Sequence, residues 1–152
     1  DSYLDVGDVT VSNDATNLYV TYTIALAPWE LVETHLGIDE GIVTTKNGNA
    51  KVGKFTAGGD RTGMEHDPPV TSYMYTISLS DLGKGDGDTV TIAAHAAIEY
   101  IEVVGVPDDS VDRPIDDPDD ILHEETAWGE GNEISNGRDW AMQFDYTILI
   151  AP

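Results

Sequence analysis

Four histidines, an excess of carboxylates and three tryptophans are the side chains in this 152-residue chain best suited to chemistry. His35 stands two residues from Glu33, so on a strand the two share a face and can pair. His95 lies in the alanine-rich run Ala93–Ala97, where a structural histidine is the expected role. His66 and His123 lie beside acids in segments read as loops, but no ligand spacing supports a two-histidine, one-carboxylate metal site. Carboxylates suit calcium better, because Ca²⁺ takes six to eight oxygen ligands. Two segments compete for it. One holds Asp108, Asp109, Asp112, Asp116, Asp117, Asp119 and Asp120; the other, around Asp86 and Asp88, alternates Asp with Gly. Neither follows the twelve-residue EF-hand pattern. Trp128, beside a glycine-rich stretch, could stack on a sugar ring, or fold back as a loop anchor. The nucleophile-elbow, zinc-protease, phosphate-loop and dinucleotide motifs do not occur. Acid/base catalysis by a carboxylate pair has only abundance in its favour. The chain is therefore expected not to be an enzyme.

Twenty-nine Asp and Glu against seven Lys and Arg give a net charge of -22, which repels nucleic acid and anionic lipid. With no cysteine there is no disulfide, thiol nucleophile or cysteine-ligated zinc. No apolar run approaches the ~20 residues of a membrane-spanning helix, so no membrane insertion is expected. The sequence opens at Asp1 with no initiator Met, which suggests a mature terminus left by leader cleavage and hence a secreted protein. A strongly acidic chain suits an extracellular setting where cations screen its self-repulsion.

These side chains must be carried by strands. Val, Ile and Thr are abundant and sit in period-two runs between Gly, Asp, Asn and Pro clusters. Alternation is clearest in Leu18 to Leu26, Tyr73 to Leu79, Val90 to Tyr100 and Trp140 to Ile150. Residues 3 to 26 read as a hairpin. Leu4 and Val6 change parity to Val9 and Val11 across Gly7, as a bulge would make them. Another strand is expected from Trp29 to Ile38. Residues 39–69 read as a long loop or a mixture of short edge pieces, and 107–133 as a second long loop. The expectation is one all-β domain over residues 1–152, an antiparallel β-sandwich of immunoglobulin-like or jelly-roll type.

A set of motifs supports a resemblance. Asp5-Val6-Gly7, Asn17-Leu18-Tyr19-Val20, Glu33-Thr34-His35-Leu36, His66-Asp67-Pro68-Pro69-Val70-Thr71, Ile92-Ala93-Ala94-His95-Ala96, Glu125-Thr126-Ala127-Trp128-Gly129 and Trp140-Ala141 span nearly the whole chain. Together they resemble an uncharacterised β-sandwich module recurring in secreted and surface proteins of bacteria and archaea. The resemblance implies an extracellular location and no assigned enzyme activity; the stretch from Asp108 to Asp120 looks like an insertion relative to it.

The leading functional expectation is an extracellular structural protein, a pilus-like surface filament subunit whose partners are copies of itself. Sheet edges accept a neighbour's strand, and head-to-tail exchange builds open filaments. The segments suited to such exchange are Tyr3, Leu4 and Val6 at one end and Tyr146, Ile148, Leu149 and Ile150 at the other. The alternative is a calcium-stabilised carbohydrate-binding or adhesive surface module with glycans as ligands.

Overall fold

The computed structural model describes residues 5–103, 121–129, 132–133 (backbone only) and 142–151. It is an antiparallel β-sandwich. The first sheet has strand order β1-β2-β7, formed by β1 (Gly7–Asn13), β2 (Asn17–Ile24) and β7 (Ser72–Ser78). The second contains β6 (Met64–Val70), β3 (Glu30–Ile38) and β8 (Thr89–Glu102) as neighbours in that order. On its other edge β8 carries two strands end to end. There β9 (Ile121–Trp128) pairs with His95–Glu102 and β11 (Met142–Thr147) with Thr89–Ile92. A short β10 (Asn132–Glu133) lies beside β11, and β4 (Thr56–Ala57) with β5 (Asp60–Arg61) forms a small separate hairpin. One four-residue helix, α1 (Leu79–Leu82), follows β7, capped by Ser78 in front and by left-handed Gly83 behind. Among the described residues no helix is long and apolar enough to cross a membrane.

Alternation builds the core. In β2 the buried residues are Leu18, Val20 and Tyr22, and the residues between them face out. From the second sheet Leu36, Ile38, Val90, Ile92, Ala94, Ala96 and Ile98 meet them. Each fully buried Leu, Ile or Val contributes about 1.5–3 kcal/mol. The β1–β2 turn is closed by Asp14, whose Oδ1 accepts the amides of Thr16 (2.8 Å) and Asn17 (2.7 Å). At the other end of this hairpin the amides of Ala25 (2.7 Å) and Leu26 (3.1 Å) both donate to the Val6 carbonyl, the two-against-one arrangement of a bulge. Trp29, buried just before β3, meets Tyr100 edge-on at 4.7 Å.

Two spans differ from a plain loop reading. Residues 39–69 hold two 3₁₀ turns (Asp39–Gly41 and Val52–Lys54), the β4–β5 hairpin and β6, which extends the larger sheet. Short edge pieces are thus what much of this span contains. Residues 107–133 include β9, an eight-residue strand with a continuous ladder to β8. Among the described residues the chain crosses between sheets three times, at Ala25–Trp29, at Thr71 and through α1 between β7 and β8; the crossing at Thr71 makes β6 and β7 neighbouring edges of opposite sheets.

Candidate functional site

The edges of β6 and β7, with the β4–β5 hairpin beside them, enclose a groove of about 290 Å³. Its walls include Tyr73, Tyr75 and Ile77 from β7, Asp60 and Arg61 from β5, and Met64 at the start of β6. Alternation in β7 sends Tyr73, Tyr75 and Ile77 to one face. Packing then fixes the tyrosine rings. Tyr73 lies 4.6 Å from the His66 ring and meets Tyr75 edge-on at 4.9 Å. The Arg61 guanidinium donates to the Gly53 carbonyl at 3.0 Å.

Behind the groove runs a buried polar seam joining four chain segments. The Tyr75 hydroxyl donates to the Thr62 carbonyl (2.8 Å), which uses its one hydrogen. The Thr34 hydroxyl must then donate to the Tyr75 oxygen (2.7 Å), and His66 Nε2–H to Thr34 Oγ1 (3.0 Å). The direction of the seam therefore assigns the His66 tautomer. Burial lowers the His66 pKa and so favours its neutral form. Burial also pushes the Tyr75 phenol up to about 12, so it stays protonated and able to donate at neutral pH. Thr62 finishes the seam. Its Oγ1 accepts the Leu36 amide (2.7 Å) and donates to the Leu36 carbonyl (2.6 Å), completing the edge of β3 beyond the end of its pairing with β6.

A second cluster lies on the outer face of the larger sheet. In register, His35 of β3 faces His95 of β8, and His95 faces Trp128 of β9. The two imidazole centroids are 5.7 Å apart, and Trp128 packs 4.7 Å from His95. His35 Nε2 is bonded to Glu33, while Nδ1 of both histidines is buried without a hydrogen-bond partner among the described residues. Phe55 covers this face. Its ring meets Trp128 at 6.2 Å and lies 3.0 Å from where a side chain on Gly37 would begin.

The remaining sequence candidates fall elsewhere. Asp108, Asp109, Asp112, Asp116, Asp117, Asp119 and Asp120 lie outside the described residues, as do Tyr3, Leu4 and Trp140. Asp88 Oδ2 accepts the Gly85 amide (2.8 Å) and Asp86 Oδ1 the Ile150 amide (2.7 Å), so both carboxylates brace a turn and the C-terminal segment. Among the described residues no three His, Asp or Glu side chains gather in a metal-holding group. His66 and His123 sit on β6 and β9, not in loops; His123 stacks on Tyr100 at 4.4 Å and bonds Glu102 at 2.9 Å. Trp128 is half-buried in the packed cluster above. Val6 and Ile148 are buried in the domain's own core, the Tyr146 hydroxyl donates to Asn13 Oδ1 (2.6 Å), and Leu149 is 71% exposed. The groove itself was not anticipated. Its walls are far apart in sequence, and only the β7 tyrosine alternation hints at one of them.

No family model matches the sequence, and no curated protein matches it. A solved structure from Bacteroides uniformis ATCC 8492, described as a "putative carbohydrate binding protein", is similar with a TM-score of 0.40 and 17% identity. The match covers 68% of this chain and 50% of that one, so the chain spans about half its length.

Proposed function

We propose that this domain is a non-catalytic carbohydrate-binding module of an extracellular protein, with the sugar held in the groove beside Tyr73. The observation that carries the reading is the lining of that groove. Tyr73, Met64 and Ile77 offer a surface for the apolar face of a pyranose, and Asp60, Asp81, Thr76 and Ser78 offer oxygens to its hydroxyls. The His66 and Tyr75 rings hold Tyr73 in place, which limits the ordering cost of binding. About 290 Å³ is at the small end of ligand clefts, so the reading favours one or two sugar units over a long chain.

Glycan-array screening followed by calorimetry provides the test. The wild type should bind a defined set of glycans, and Tyr73→Ala should weaken binding about tenfold or more. Asp81→Asn, on the groove rim, should weaken the same glycans without altering the circular dichroism spectrum. Failure of the wild type to bind any glycan, or unchanged binding in both variants, would overturn the reading. Trp128→Ala separates the two aromatic candidates: it should lower stability and leave sugar affinity intact.

A second reading, a filament subunit assembled from copies of itself by strand exchange, is favoured by one observation. Among the described residues the outer edge of β1 is unpaired along Gly7–Asn13, long enough to template a neighbour's strand. Electron microscopy of the purified protein with and without a calcium chelator tests it: ordered filaments support the subunit, and those that fray on chelation add calcium at the joints. A uniform monomer in both conditions removes it.

A further inference from the structure

We propose that His95 is the latch of an acid-sensitive flap: the segment 52–63 stays closed over the outer face of the larger sheet while His95 is neutral, and lifts when His95 takes up a proton.

The flap touches the sheet on either side of this residue. At one end the Gly63 backbone lies so close to the His35 ring that a Cβ there would fall 2.9 Å from His35 Cε1. Further back Phe55, 1% exposed, fills the notch at Gly37 and meets Trp128. His95 stands between His35 and Trp128, so the row His35-His95-Trp128 is the surface on which the flap rests.

That surface is poorly prepared for a positive charge on His95. Nδ1 of His95 has no acceptor among the described residues, nor does Nδ1 of His35. Among the described residues the ionisable groups acting on His95 are His35 and Glu33 on β3, with Glu65 of β6 opposite Glu33. Glu33 is already engaged by His35 Nε2, and Phe55, Gly63 and Trp128 carry no charge. Burial lowers the His95 pKa to about 4; the neighbouring His35 pushes the same way and Glu33 opposes them more weakly.

The sign follows from proton linkage. A solvent-exposed imidazole titrates near 6.5, so between about 6.5 and 4 the open form binds the proton and the closed form does not. Closure is undisturbed above that window and is progressively lost as pH falls through it. One such site raises the open population roughly fifty-fold between pH 7.5 and 4.5. Asp60, Arg61, Thr62 and Gly63 belong to both the flap and the groove wall, so acid should also release a bound sugar; this corollary rests on the glycan reading above.

Amide hydrogen exchange without sugar tests the latch separately from that reading. The reporter is the Leu36 amide of β3, which bonds Thr62 Oγ1 of the flap. Corrected for intrinsic rates, its protection should fall roughly fifty-fold from pH 7.5 to 4.5 while the Val20 amide keeps its own. In His95→Gln, or His95→Asn if the first is poorly folded, the reporter's protection should not change with pH. A flat wild-type profile, a pH response surviving in the variants, or an equal loss at Val20 would each overturn the latch.

Discussion

Replacing Phe55 by alanine is expected to lower stability by about 3–5 kcal/mol, among the largest costs of a single side-chain truncation here. Phe55 is 1% exposed, yet it does not belong to the main core between the sheets. It packs on the opposite face of the larger sheet, where the backbone at Gly37 leaves room for a ring and Trp128 supplies an edge. Truncation would leave a cavity that rigid strands cannot collapse to fill, so both the transfer and the cavity penalties apply. In urea, with a slope of about 1.5–2 kcal/mol/M, the midpoint should fall by about 2 M. Phe55→Leu, which keeps most of the apolar volume, should lose less than half as much. A midpoint within about 0.3 M of wild type for Phe55→Ala would show that the outer-face cover contributes little to the cooperative fold.

Thr62→Val should cost about 2–4 kcal/mol although it nearly preserves shape. The Thr62 side chain, 7% exposed, serves both the amide and the carbonyl of Leu36, and valine can do neither. Two main-chain groups at a buried sheet edge would lose their partners, at ~1–3 kcal/mol for each unsatisfied group. Thr62→Ser retains the hydroxyl and should cost ~1 kcal/mol or less. The contrast between the two variants isolates the hydrogen bonds from packing. Fast exchange of the Leu36 amide in Thr62→Val, with wild-type protection in Thr62→Ser, is the expected local signature. Equal stabilities for the two variants would refute this role for the hydroxyl.

Strands whose side chains alternate between core and solvent were legible in the sequence, β7 at a sheet edge among them; β6 and β9, whose alternation is broken, were not. Leu18, Val20 and Tyr22 announce β2 because one face of it is wholly buried. β6 reads Met64-Glu65-His66-Asp67-Pro68-Pro69-Val70, with one buried position and two prolines, and an edge strand can carry prolines because part of its ladder is unpaired. β9 hides for a related reason: its hairpin with β8 carries charged residues such as Glu124 and Glu125 on exposed positions. The His35 and Glu33 pair was visible from spacing alone, because two residues apart on a strand means one face. Thr62 and Tyr75 could not be paired in this way. Their contact depends on the chain crossing between sheets at Thr71, a placement that no local periodicity encodes.

The one-way hydrogen-bond seam from His66 through Thr34 and Tyr75 to Thr62 constrains how this domain can diverge. Each hydroxyl in it passes on the hydrogen that lets the next group keep its orientation, so no interior member can be exchanged alone for an apolar residue without stranding two neighbours. Descendants of this chain should therefore keep residues 34, 66 and 75 as a polar set or lose them together. A lineage with valine at position 34 should show apolar side chains at 66 and 75 as well, and single replacements should survive only as short-lived intermediates between the two states.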